Sequence, residues 1–227
     1  PQKALLKVDT RIEDGNALKN LTTKVELLDA QGKQVATGQQ KINQQGAASF
    51  NLEVTNPHLW DIDTPYLYTL KTTLLKGKKA IDQTTTKVGI RTIDVSKEYG
   101  FRLNGKSLKF KGVCLHHDLG ALGAALNKTA VIRQIEMMKK MGVNAIRTSH
   151  NMPSQMQMDV CDSLGMMVMA ESFDAWKDLK VKNGYGRIYD EWWRKDLENL
   201  IKGHRNHPSI VMWSIGNEIP EQSNKAG

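Results

Sequence analysis

The chain has 227 residues, 40% hydrophobic and 25% charged, with 32 basic and 24 acidic side chains and a net charge of +8. That is ordinary globular composition, which excludes a disordered or fibrous chain, and no apolar run of roughly 18 residues is present to cross a bilayer as a helix. The basic residues are scattered rather than blocked and do not interleave with aromatics, so the excess charge reads as solvation and not as a nucleic-acid groove.

Residues 1–94 read as all-β. Leu5–Ile12, Thr22–Leu28, Gln34–Ile42, Ala48–Val54, Leu67–Leu75 and Ile81–Val88 are short stretches rich in Val, Leu, Ile and Thr. Turn chemistry separates them at Glu13-Asp14-Gly15-Asn16, Ala30-Gln31-Gly32-Lys33, Gln45-Gly46 and Lys76-Gly77-Lys78. Strands at that spacing predict an immunoglobulin-like β-sandwich. Six strands are one short of a typical module, which puts the seventh ahead of Pro1. The N-terminal residues lack the charged and apolar regions of a signal peptide, as expected of a chain that begins inside a domain.

From residue 95 the pattern changes. Asn104-Gly105 is a two-residue hairpin turn within Phe101–Leu108. Strand-like segments at Leu108–Cys114, Val143–Arg147, Met166–Ala170 and Ile210–Ile215 then alternate with helical stripes. The helices are predicted over Thr129–Met141, Ser154–Leu164 (ended by Gly165) and Asp190–Gly203. The strands are nearly continuous in apolar residues, as parallel strands buried on both faces are. Alternation of this kind predicts a parallel α/β architecture over 95–227, either doubly wound or half of an eight-stranded barrel.

The polar residues favour the barrel. His116, His117 and Asp118 follow the first strand. Arg147 ends the second and is followed by His150 and Asn151. Glu171, Asp174 and Trp176 follow the third, and Asn217 and Glu218 the fourth. In a barrel those C-terminal ends converge on one mouth; in an open sheet they spread along an edge. Taken singly, each has a plain structural reading as a loop histidine or an ion-pair partner. Repetition at four strand ends is the functional signal. Adjacent histidines on a strand point to opposite sides, and no His-Glu-x-x-His or Cys-x-x-Cys pattern occurs, so no metal site is assigned. Cys114 and Cys161 lie in apolar runs and are expected to be buried free thiols.

Asn206-His207-Pro208-Ser209-Ile210-Val211-Met212-Trp213-Ser214-Ile215-Gly216-Asn217-Glu218 resembles the acid/base signature of glycoside hydrolase family 2. Lys111–Asp118 and Asn144–Asn151 are similar to the family's first two barrel strands, and Leu59–Tyr68 to a segment of its immunoglobulin-like domain. The four motifs are collinear over nearly the whole chain. The likeness is nearest to bacteroidete-type β-galactosidases, through His116-His117-Asp118-Leu119-Gly120-Ala121; glucuronidase-like members carry Asn and Lys where this chain has Cys114 and Leu115. Ala170 stands where the family usually has Asp.

The resemblance implies an immunoglobulin-like sandwich followed by about four β/α units of a (β/α)8 TIM barrel. It implies a fragment of a retaining exo-β-glycosidase acting on terminal β-linked sugars. Glu218 would be the general acid/base and Asn217 would hold the sugar 2-hydroxyl. His116 and His150 would contact the sugar ring, with Asp174 and Trp176 as subsite residues and Arg147 and Glu171 in support. The nucleophile would lie on a later strand, beyond the chain end. No cofactor is expected; relatives sometimes hold a magnesium or sodium ion, whose ligands are not assigned here. The implied partner is an oligosaccharide or β-glycoside, with neither nucleic acid nor membrane, and the exposed barrel edges would allow a homo-oligomer. Family precedent suggests the periplasm or secretion. The rival reading is a non-catalytic carbohydrate-binding or structural module.

Overall fold

The computed structural model describes residues 2–13 and 20–220. The turn expected at Glu13–Asn16 lies outside them from residue 14 onward. The chain forms two compact units, one of residues 1–60 and 66–91, the other of residues 61–65 and 92–227.

The first unit has six strands: β1 Lys3–Arg11, β2 Leu21–Leu28, β3 Gln34–Lys41, β4 Ala47–Thr55, β5 Tyr68–Lys76 and β6 Lys79–Val88. β1 pairs antiparallel with β4, and a four-stranded sheet runs β3-β2-β5-β6. Strict alternation makes the sandwich. On β2, Leu21, Thr23, Val25 and Leu27 turn inward while the residues between them stay partly exposed. Val25 and Leu27 meet Phe50, Leu52 and Val54 of β4 and Leu70 of β5 in one core. The outer strand β6 is mostly exposed and carries Lys79, Asp82 and Lys87, which discourages pairing with another chain.

The second unit opens with a small antiparallel sheet of β7 Ile93–Ser96, β8 Gly100–Leu103 and β9 Lys106–Ser107. Asn104 and Gly105 have φ of 53° and 80°, as the tight turn between β8 and β9 requires. β7 is an addition to the sequence reading. The rest is β10 Gly112–Leu115, α1 Lys128–Lys140, β11 Ala145–Thr148, α2 Gln155–Leu164, β12 Met167–Glu171, α3 Tyr189–His204 and β13 Ile210–Ser214. The four strands are parallel and adjacent in chain order, β10-β11-β12-β13.

Local chemistry sets the helix ends. The Asn127 side chain accepts from the backbone N–H of Ala130, and that of Ser154 from Gln157, which satisfies donors in the first turns of α1 and α2. Gly165 ends α2 at φ 69°, a left-handed cap. The helices cover one side of the sheet, where Leu115, Ile146, Val168 and Ile210 pack on Val131, Ile135, Met158 and Leu200. On the opposite side, Cys114, Arg147, Met169 and Met212 form a row in register. These four help to line a groove of about 220 Å³. Two expectations are therefore corrected. Burial on both faces holds for the central strands β11 and β12 but not for β10 and β13, the edges of this sheet, where Met212 and Trp213 are exposed. Cys161 is buried, but Cys114 is exposed because it points to the inner side, away from the helices.

The start of β13 is locked to α2. Asp162, almost wholly buried, accepts from the Ser209 backbone N–H at 3.0 Å and pairs with His207 Nδ1 at 2.6 Å. Asp159 adds a third potential metal ligand nearby. The 2.6 Å carboxylate–imidazole separation is that of a hydrogen bond, however, and is too short for two ligands of one ion.

Gly165 generates a test. Its left-handed φ is costly for any side chain, and a Cβ there would run into the Ile62 carbonyl oxygen. Gly165→Ala is expected to lower unfolding free energy by more than about 1 kcal/mol, read as a reduced midpoint in urea.

Candidate active site

The C-terminal ends of β11, β12 and β13 meet on a single carboxylate. Glu171, the last residue of β12, is 0% exposed. Its Oε2 accepts from Arg147 Nε at 2.9 Å, from Arg147 Nη2 at 2.7 Å and from Ser214 Oγ. Its Oε1 meets His150 Nδ1 at 2.7 Å. Register explains the convergence. Glu171 lies opposite Ser214 across the β12–β13 pair, and Arg147 lies opposite Met169, two residues from Glu171 on the same face. The Glu171 backbone N–H is also satisfied, by Thr148 Oγ1 at 2.9 Å. Burial works against the charge of Arg147, but the hydrogen bonds and charge of Glu171 outweigh it, and the guanidinium holds its proton more firmly than usual.

From this hub the network runs outward. Arg147 Nη2 also donates to Asn217 Oδ1 at 2.9 Å, and Asn217 Nδ2 donates to Asp174 Oδ1 at 3.1 Å. The Asn217 backbone N–H reaches Phe173 O at 3.0 Å, tying the turn after β13 to the end of β12. Lys180 Nζ then bridges Asp174 Oδ1 at 3.0 Å and Glu218 Oε2 at 3.1 Å. Partial burial of Asp174 disfavours its charge. The hydrogen bonds from Lys180 and Asn217, with the lysine's charge, more than offset this, so its carboxyl lies below the ordinary range. Glu218 is 78% exposed and has a positive φ of 47°.

His116 packs edge-on against His150 with ring centroids 5.1 Å apart. With His117, Asp118, Leu126, Met152 and Gln157 it also borders a cavity of about 230 Å³ beside α1 and α2. Trp176 donates its indole N–H to Ile215 O at 2.8 Å, and its ring lies near Tyr189; that edge of the indole is committed to the wall of the site. Arg147, His150, Glu171, Asp174, Asn217 and Glu218 are thus joined in one continuous network, with His116 and Trp176 on its flanks. Two members went unsingled in the sequence reading. Ser214 reads as part of an apolar strand, although its place opposite Glu171 follows from the register. Lys180 is one of three lysines in Lys177–Lys182, and nothing in the sequence distinguishes it.

One carboxylate is buried and fully hydrogen-bonded, and it serves as a structural anchor. Another, at Glu218, is mostly exposed at the rim. The imidazoles and Asn217 supply polar groups between them.

Comparison with known proteins identifies the family of the chain. Residues 1–91 match the model described as glycosyl hydrolases family 2, and residues 93–226 match glycosyl hydrolases family 2, TIM barrel domain. A β-galactosidase of Bacteroides ovatus is 44% identical over 225 residues, which take in 97% of this chain and 26% of the relative. A putative β-glucuronidase of Formosa agariphila is also 44% identical, over 96% of this chain and 21% of its own length. The crystal structure of a glycosyl hydrolase family 2 member from Bacteroides cellulosilyticus superposes with a TM-score of 0.94 at 40% identity, covering 99% of this chain and 30% of that one. The chain thus spans about a quarter of the length of the curated relatives it matches. With two family models lying in order along it and close relatives aligned across nearly every residue, the chain belongs to glycosyl hydrolases family 2.

Proposed function

We propose that this chain is part of a retaining exo-β-glycosidase, nearest to a β-galactosidase, in which Glu218 is the general acid/base. The observation that carries the reading is the unbroken hydrogen-bond path from buried Glu171 through Arg147 and Asn217 to Asp174, Lys180 and exposed Glu218. It gathers polar groups from successive strand ends, where the active sites of such barrels lie.

In the proposed reaction, protonated Glu218 donates to the glycosidic oxygen as a second carboxylate attacks the anomeric carbon. The C–O bond to the leaving group breaks, and a glycosyl-enzyme ester forms. Glu218, now ionised, takes a proton from water, the water oxygen attacks the same carbon, and the ester carboxylate leaves. Asn217 would hold the sugar 2-hydroxyl, and His116 and His150 would bind the ring. Glu171 is unsuited to be the nucleophile: it is wholly buried and its oxygens are occupied. As the family resemblance implies, we assign the nucleophile to a later strand, outside residues 1–227. The same remainder, or a second copy of this chain, would cover the sheet edges β10 and β13 and the groove on the inner face. The galactoside preference rests on the B. ovatus relative's name and on Cys114 and Leu115, and the F. agariphila relative makes a glucuronide the competing substrate.

The intact gene product, given a panel of aryl β-glycosides, is expected to hydrolyse the galactoside fastest, while the isolated 227-residue chain turns over none. Glu218→Gln in the intact enzyme should lower kcat by about 100-fold or more. Turnover by the isolated chain, or a Glu218→Gln enzyme with unchanged kcat, would refute the assignment. Glycan binding confined to residues 1–94 and indifferent to Glu218→Gln would support a binding module instead.

A second expectation concerns the anchor. Glu171→Gln keeps the shape but leaves Arg147 without its counter-charge. Because the Arg147 side chain retains 29% exposure, the loss should sit near the lower end for a broken buried pair, about 3 kcal/mol. Denaturant titration reads it directly, and a change within about 0.5 kcal/mol, as at an ordinary surface site, would mean that Glu171 is not the anchor.

A further inference from the structure

Glu218 is poorly held by its own surroundings. It lies four residues past β13, its side chain is mostly in water, and its φ of 47° is unfavourable for any residue with a Cβ. Such a conformation persists only where neighbours enforce it. One neighbour does so through charge. Lys180 Nζ donates to Asp174 O at 2.8 Å, Asp174 Oδ1 at 3.0 Å, Asn217 O at 3.1 Å and Glu218 Oε2 at 3.1 Å. Two of these partners belong to the segment after β12 and two to the turn after β13.

We infer that Lys180 is a positioning residue for the acid/base: its ammonium clamps the Asn217–Glu218 turn to Asp174 and so aims the Glu218 carboxyl at the leaving oxygen. This rests on the assignment of Glu218 under Proposed function. The alternative task for a lysine at the mouth, capture of an anionic substrate, fits less well. An ammonium has three donors, and here four oxygens, two of them carboxylate, already share them. The donor count also suits a proton cycle. When Glu218 ionises, Lys180 holds its carboxylate directly. Apart from the Glu218 carboxyl, three acceptors face the three N–H groups of Lys180: Asp174 O, Asp174 Oδ1 and Asn217 O. The turn therefore stays fixed in both protonation states. The neighbouring Lys177 is committed elsewhere, to Asp190 at 2.7 Å.

The test uses the leaving group. A dinitrophenolate departs without protonation, whereas an alkoxide cannot, so a misaimed acid harms alkyl glycosides selectively. In the intact enzyme, Lys180→Met should lower kcat/KM for a methyl β-glycoside about 10- to 100-fold more than for the 2,4-dinitrophenyl β-glycoside, the scale expected of a misplaced catalytic group. Lys180→Arg should recover much of that ratio. Both substrates are assayed on one preparation, so any unfolded fraction cancels. Equal losses on the two substrates in every active Lys180 variant, or no loss, would overturn the inference. Glu218→Gln serves as the reference. If it shows no leaving-group selectivity, the acid/base assignment itself fails. If it does and the Lys180 variants do not, only the positioning role fails.

Discussion

The constraint on which this site depends is the burial of the Glu171 charge. A carboxylate removed from water is tolerable only when its lone pairs are occupied and a counter-charge is close. Here the partners come from three places: Arg147 on β11, His150 just beyond it and Ser214 on β13. That requirement reaches back into the fold. β11 and β13 must flank β12 and run parallel to it, and the register must bring Ser214 opposite Glu171. A slip of one residue would turn Glu171 toward the apolar helix-facing core. The ion pair thus adds its penalty on wrong registers to that of the apolar core, where a slip would exchange Val168 and Ala170 for the bulkier residues beside them.

Much of this was legible in the residues. The change of period from 2.0 to 3.6 puts a boundary near residue 95, whereas the compact units divide at residues 91 and 92, and the Asn104-Gly105 turn and the Gly165 stop fall where their conformational preferences put them. The polar strand ends were legible as well, because strong charges interrupt apolar runs. What stayed hidden depends on direction and register. Cys114 sits in an apolar run, and only the structure shows that it faces the inner side of the sheet. β7 is four residues long, too short for its alternation to rise above background. Ser214 is an unremarkable hydroxyl until a carboxylate lies opposite it. Lys180 is one lysine among several until the loop brings it against four oxygens.

The two faces of the parallel sheet follow different rules. The helix-facing side is a dry core of Leu115, Ile146, Val168 and Ile210, where specificity comes from volume and shape. The inner row, Cys114, Arg147, Met169 and Met212, mixes soft adaptable side chains with one guanidinium. Methionines adjust to irregular neighbours; Arg147 does not, because both Glu171 and Asn217 hold its planar head. The rigid element of the inner face is therefore also the one that passes the geometry of the buried anchor to the rim.

That transmission explains why the site carries two glutamates of opposite character. A proton donor must exchange protons repeatedly, so its surroundings must tolerate both of its charge states. Glu171 cannot meet that condition: protonating it would leave Arg147 without a counter-charge and strip acceptors from Ser214 and His150. Glu218, in the role proposed for it, is mostly exposed, and Lys180 has three acceptors besides its carboxyl. Fixed charge is placed where the protein must be stiff, and variable charge where solvent and a multi-acceptor ammonium absorb the change. A proton donor placed at Glu171 instead would lie in the interior, where each protonation would break the pair with Arg147 and cost the fold several kcal/mol.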